Sequence, residues 1–111
     1  VGGASMKAAL DAGEPVTLPQ VDSIADGLLP VRSGDRTFAH VREFVDQVVL
    51  VEDDEIREAA KFLFVHERVV VEFSGAATVA ALRSGRIESA GRTVAAVVSG
   101  GNVDPGVIAN L

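Results

Sequence analysis

Residues Thr93–Val98 (TVAAVV) form an uncharged run rich in β-branched side chains, and the run ends directly at Ser99-Gly100-Gly101-Asn102. Unbroken apolar character of this length is the pattern of a strand covered on both faces, as in a parallel sheet packed between helices. The two glycines let the backbone turn tightly at the strand's carboxyl end, the edge at which open α/β sheets hold ligands. Local pattern alone favours a strand-to-loop turn with no ligand. A ligand contact through the Ser99 hydroxyl, the glycine pair and the Asn102 amide is the alternative.

Other segments fit the same architecture. Gln47–Val51 (QVVLV) and Val69–Val71 are further short apolar runs, and Val16–Leu18 reads as extended up to Pro19. Between them lie helical patterns. Ser5 is placed to cap Met6–Ala12, which Gly13 and Pro15 end. Thr37 is placed to cap a helix from Phe38 to Val45, with Phe38, Val41 and Val45 on one face. Glu52–Glu55 lead into a helix through His66, in which Ile56, Ala59, Ala60 and Leu63 keep the spacing of one helical face. Phe62, Phe64 and Val65 widen that stripe, so this helix is predicted to be buried on more than one side. Ser74 reads as the cap of a small-residue helix to Leu82, and Asp104-Pro105 as the start of a terminal one. Strands alternating with helices predict an α/β fold, a partial parallel sheet flanked by helices.

At 111 residues the chain is expected to be a single α/β domain, residues 1–111, and an incomplete one. Within it, residues 20–36 form a long irregular loop, where Ser23–Gly27 is predicted as one capped helical turn ended by the glycine. A net charge of −6, no Trp or Tyr and five Phe argue against nucleic acid as a partner. The absence of cysteine removes disulfides and thiolate chemistry. No apolar run approaches about 18 residues, so no membrane partner is expected and the expected setting is cytoplasmic. Yet the chain is 48% hydrophobic with mean hydropathy +0.30. So apolar a small acidic chain is expected to hide surface against something else, as an oligomer or a piece of a larger fold. Val1–Ala4, small and uncapped, reads as a beginning cut from a loop.

Candidate chemistry is sparse. Glu52–Glu55 offers carboxylates for a hard cation, but acidic residues at a helix start also complement its dipole, and the residues favour the dipole. His40 and His66 stand apart, without a neighbouring nucleophile or second metal ligand, and read as ordinary helix residues. Ser74-Gly75 at a helix start reads as a cap before an anion site. Glu72 follows three valines near the expected sheet edge, where a carboxylate needs a partner or a ligand. No GxSxG, Walker, HExxH or GxGxxG motif occurs.

Three segments taken in order change the picture: Ile24-Ala25-Asp26-Gly27, Val71-Glu72-Phe73-Ser74-Gly75-Ala76 and Ser99-Gly100-Gly101-Asn102-Val103-Asp104. Together they resemble the C-terminal part of the large domain of fold-type II pyridoxal-phosphate enzymes, the threonine and serine dehydratases, whose fold serine racemases share. The likeness extends over nearly the whole chain, including Phe38–Asp46 and Asp54–Glu67. It implies pyridoxal 5'-phosphate as cofactor. Ser99 falls on the serine that hydrogen-bonds the pyridine nitrogen, Gly27 and Gly100 on glycines lining the pocket, and Glu72 on a glutamate near the ring. The implied reaction is an ammonia-lyase elimination of water from a β-hydroxy amino acid, giving a 2-keto acid and ammonia. A hydroxyl partner does not force the ring nitrogen to be protonated, as a carboxylate would.

The sequence departs from that pattern in three places. The family's Schiff-base lysine motif is absent, and Lys7 and Lys61 lie on predicted helices. The glycine loop that cradles the cofactor phosphate is absent as well. Phe73 stands where the family usually has proline, a bulky ring expected to repack the turn after Glu72. The resemblance therefore implies no catalytic residue and no metal ligand in these residues, and no covalent hold on the cofactor by this chain alone. The full enzyme's partner is a small-molecule amino acid. For the chain, a homo-oligomer or a missing N-terminal portion is expected. A serine racemase-like parent, a non-catalytic self-associating fragment, and a small domain binding a phosphorylated ligand at Ser74 or Ser99–Asn102 stay open as alternatives.

Overall fold

Ile56, Ala59, Ala60 and Leu63, spaced to share one helical face, are all buried in the computed structural model, which describes residues 1–111. The first three belong to α3 (Asp53–Phe62). Glu52 caps this helix through a capping box: its side chain accepts the Glu55 N–H, while the Glu55 carboxylate accepts the Glu52 N–H at 2.8 Å. Asp53, Asp54 and Glu55 fill the first turn and Lys61 the last, so the acidic run does sit on the positive end of the dipole. Leu63 opens a wider, π-helical turn, Leu63–Glu67, which ends at Arg68 in the left-handed region with φ 60°. The helix is not encircled as expected. Phe64 and Val65 face solvent, and Phe62 is half-buried beneath the Arg83 guanidinium, 4.0 Å from its ring centroid.

Against α3 packs α4 (Phe73–Arg83), whose Ala76 and Ala80 join the cluster of Ala59, Ala60, Ile56, Leu63, Val71 and Ala25. Alanine on alanine lets the two backbones approach closely, so this pair forms the rigid centre of the molecule. The cap of α4 is Glu72; Ser74 lies one turn-position inside, and its side chain is used elsewhere. Two further caps expected from hydroxyl residues also shift. α1 (Ser5–Ala12) starts after Ala4, with Ser5 buried inside it, and stops as expected at a left-handed Gly13. α2 (Asp35–Phe44) starts after Gly34, so Thr37 is internal; Phe38 is its buried residue and Val45 lies exposed beyond its end. α5 (Pro105–Ala109) follows the sequence reading, with Asp104 accepting the Gly106 N–H at 2.6 Å and Pro105 first in the helix.

The expected sheet does not form within these residues. The one β-type pairing is an antiparallel bridge between Thr17 and Arg32, with the Leu18 N–H on the Val31 carbonyl at 2.8 Å, which ties down the irregular loop. Thr93–Val98 is exposed throughout, Val97 to 72%, and its backbone makes one hydrogen bond, from the Thr78 hydroxyl to the Val97 carbonyl at 2.8 Å. Gln47–Val51 and Val69–Val71 carry no ladder either. The last run and the strand expected at 93–98 meet near their ends, where the Glu72 N–H reaches the Gly100 carbonyl at 3.3 Å. A ladder needs such bonds along its length, and residues 1–111 supply them only at the tip. Only 14 of the 111 residues are buried, a small core for so apolar a sequence. No helix is long and apolar enough to cross a membrane.

Candidate functional site

The Asp53 carboxylate, at the start of α3, accepts hydrogen bonds from the Ser23 hydroxyl and from the Ile24 N–H at 3.1 Å. The Ser23 oxygen in turn accepts the Ala25 N–H at 3.1 Å. The Ser23 hydroxyl, helped by the Ile24 N–H and against some desolvation, holds the Asp53 carboxyl below its ordinary value. This fixes one end of the segment predicted as a capped turn. The turn itself is 3₁₀ and runs Asp26–Leu28, so Gly27 is its centre and not its terminator. On the other side the Gly27 N–H is shared between the Asp26 carboxylate at 2.8 Å and the Ser74 hydroxyl oxygen at 2.9 Å. The Ser74 hydroxyl donates back to Asp26 at 3.5 Å. The Gly27 turn is thus clamped between the N-terminal ends of α3 and α4.

The same end of α4 receives the Ser99-Gly100 turn. Gly100 is left-handed at φ 72°, and a Cβ there would overlap the Glu72 carboxylate. A Cβ at Gly75 would overlap the Ser99 carbonyl. Two glycines are therefore demanded by close approach, one on each side of the contact. Ser99 itself is exposed and its hydroxyl takes part in none of the chain's hydrogen bonds; nor does the half-buried Glu72 carboxylate, although Glu72 stands at the N-cap position of α4. The amides of Phe73, Ser74 and Gly75, in the first turn of α4, have no partner within the helix.

All four residues singled out from the sequence, Gly27, Glu72, Ser99 and Gly100, converge on the Glu72–Gly75 tip of α4 although they lie far apart in the chain. Two contributors escaped the sequence reading. Asp53 reads there as one more charge in an acidic run, and Ser74 as a cap; both instead bind the turn around Gly27, and neither partner is adjacent in sequence. The remaining candidates stay away from the tip. His40 sits 2.8 Å from the Arg36 carbonyl on α2, and His66 stacks on Phe62 with centroids 5.0 Å apart. Lys7 pairs with Asp11 on α1, and Lys61 is exposed on the last turn of α3. No three His, Asp or Glu side chains gather at metal-binding separations. Phe73 opens α4 half-buried, with the Arg57 guanidinium 5.4 Å from its ring centroid.

What the tip offers chemically is an uncommitted hydroxyl, a peptide edge kept bare by glycine, free helix amides and one carboxylate. It holds no nucleophile paired with a base. Such a set binds and orients; it does not by itself break bonds. Residues 1–100 match the family model described as pyridoxal-phosphate dependent enzyme. The chain belongs to that family. It is 42% identical over 105 residues to the biosynthetic L-threonine dehydratase of Haemophilus influenzae, covering 91% of this chain and 20% of that protein. With the L-threonine ammonia-lyase of Thermotoga maritima it shares 38% over 104 residues, 94% of this chain and 26% of the relative. Among solved structures, maize serine racemase superposes with a TM-score of 0.85 at 35% identity, over 98% of this chain and 36% of that one. Threonine deaminase isoform 2 from Solanum lycopersicum gives 0.85 at 34%, over 98% and 32%. These likenesses carry the fold-type II family fold over the matched residues. The chain spans about a fifth to a third of the curated relatives' length.

Proposed function

We propose that residues 1–111 are the back wall of a pyridoxal-phosphate cleft in a threonine/serine ammonia-lyase. The observation that carries this reading is the convergence of Gly27, Glu72, Ser99 and Gly100 on one helix tip. The residues suit the cofactor: the Ser99 hydroxyl is exposed and without a hydrogen-bond partner, and the left-handed Gly100 beside it carries no side chain. The exposed Ser99 hydroxyl is free to hold the pyridine nitrogen through a neutral hydrogen bond. That partner leaves the nitrogen less charged than a carboxylate would. Glu72, whose carboxylate lies against Gly100, would be within reach of the bound ring, and Gly27 and Gly100 would present backbone rather than side chain to it. When bound, the cofactor supplies the electron sink for loss of the substrate's Cα proton and β-hydroxyl. Neither Lys7 nor Lys61 belongs to the tip, so covalent attachment falls to a residue outside these 111.

The apolar runs 47–51, 69–71 and 93–98 become strands of a parallel sheet once neighbouring strands are present. One observation supports this: the exposed valines of Thr93–Val98. A cytoplasmic setting suits an enzyme of amino-acid metabolism without cysteine. The same exposed surface supports a second reading for the chain by itself, self-association through those valines.

The test is a graft of residues 1–111 in place of the matching segment of the Thermotoga maritima relative. It is expected to bind pyridoxal phosphate and release ammonia from threonine or serine, and S99A is expected to lower that activity at least tenfold. A folded graft that binds the cofactor yet deaminates neither amino acid overturns the lyase reading; d-serine formation instead supports a racemase. The 111-residue chain mixed with pyridoxal phosphate is expected to yield no borohydride-stable adduct.

A further inference from the structure

We infer that Ser74 is a positioning residue for the cofactor, a spacer that sets how far the Gly27 peptide stands off the tip of α4. This rests on the cofactor-cleft reading of that tip and adds a residue to it. The geometry is specific. The Ser74 hydroxyl accepts the Gly27 N–H at 2.9 Å and turns its own proton toward Asp26, so it bonds both residues at the head of the 3₁₀ turn. A Cβ at Gly27 would stand 2.8 Å from the Ser74 oxygen and 3.1 Å from the Ser74 Cβ, and, its chain neighbours aside, no other atom lies within 4 Å. Among residues other than its chain neighbours, Ser74 is therefore the side chain that a Cβ at position 27 would crowd. Gly27 lies between its φ limits without entering the left-handed region, so backbone strain does not explain it. A helix cap does not account for the pair, because no side chain caps α4 and the Ser74 oxygen bonds the Gly27 N–H instead.

Positions 27 and 74 thus behave as one unit: the hydroxyl holds the turn near, and the missing Cβ lets it come near. Either single change therefore shifts the Gly27 turn relative to the tip of α4. Removing the hydroxyl frees the turn, and adding a methyl pushes it away. Making both changes restores room without restoring the bond.

The experiment uses the graft described above and four variants: G27A, S74G, S74T and the double variant G27A/S74G. Two readouts are taken without cofactor, namely amide exchange of residues 24–28 and the melting temperature. The third is affinity for pyridoxal phosphate from its absorbance. S74G is expected to speed exchange of the turn about tenfold, and S74T to keep it near wild type. G27A is expected to weaken cofactor affinity at least tenfold, and the double variant to recover most of that loss. Exchange unchanged in S74G, or a double variant as poor as the product of the two single losses, overturns the inference. A wild-type graft that binds no pyridoxal phosphate sinks the cleft reading and with it the cofactor role given to Ser74. Coupling between positions 27 and 74 would still be read from exchange and melting, which separates the two failures.

Discussion

Replacing Gly75 by alanine sets a local gain against a distant loss. At an ordinary helix position the change stabilises by about 1 kcal/mol, because glycine loses more backbone freedom on folding. Here the new methyl would lie inside the Ser99 carbonyl group and 2.8 Å from a Val71 methyl. The carbonyl is backbone and cannot rotate aside, so the Ser99-Gly100 turn has to retreat by more than an ångström. Retreat costs little stability, since the turn is exposed and tied by a single 3.3 Å backbone bond from Glu72. Loss of that bond, about 1 kcal/mol, roughly cancels the helical gain. The Ser99 hydroxyl moves with its carbonyl, and a misplacement of about 1 Å at a binding group costs on the order of 100-fold in rate. In the grafted enzyme G75A is therefore expected to melt within a few degrees of wild type while kcat/KM for threonine falls by roughly 100-fold. Melting would be followed by circular dichroism without cofactor, and activity by ammonia release. A variant with wild-type kcat/KM would refute the reasoning, because the contact between Gly75 and Ser99 would then have no bearing on the site.

Three other outcomes follow from described contacts. Arg68 holds a left-handed conformation at the end of the π-helical turn, so R68G is expected to stabilise by about 0.5–1 kcal/mol, read from urea unfolding; a loss of stability would count against the strain. The Asp53 carboxyl is held below its ordinary value of 3.8, chiefly by Ser23, so its contribution is full above that value and fades as pH falls below it toward the lowered one. D53N is accordingly expected to be less stable than wild type near neutrality, with the gap closing below about pH 3.8; a gap independent of pH would remove Asp53 as the anchor of the loop. V97D, at the most exposed valine of the 93–98 run, is expected to reduce sedimentation of the 111-residue chain toward monomer at micromolar concentration. An unchanged sedimentation coefficient would move self-association to another surface.

The parts of this fold that could be read from the sequence are those governed by neighbours within a few turns. Ile56, Ala59, Ala60 and Leu63 announce their burial by spacing, Gly13 and Asp104-Pro105 mark real helix ends, and Glu52–Glu55 sit where their charge belongs. Caps assigned from a hydroxyl alone went astray at Ser5, Thr37 and Ser74. Ala4 and Gly34 begin their helices with no side-chain cap, and α4 begins at Glu72 likewise. The strand expected at Thr93–Val98 is not formed within these residues for a different reason. Apolar character states that a segment prefers cover, but a ladder also needs an adjacent strand along its length, and these residues bring none to that run. Motif order named Gly27, Glu72, Ser99 and Gly100, which the fold brings to one helix tip; their part in holding a cofactor is the proposal made above. What motif order left out were Asp53 and Ser74, because a hydrogen bond spanning 47 residues leaves no local trace.

Left uncovered, as it is within residues 1–111, the Thr93–Val98 segment has a cost. Six uncharged residues, four of them Thr or Val and none of them proline, with Arg92 the one charge beside the run, have the composition of fibril-forming peptides. Chaperone capture during synthesis, or immediate burial by complementary chain, is what keeps such a segment from templating cross-β growth. Handling the polypeptide in the laboratory therefore calls for a gatekeeper charge in that segment, or for co-production with its covering strands.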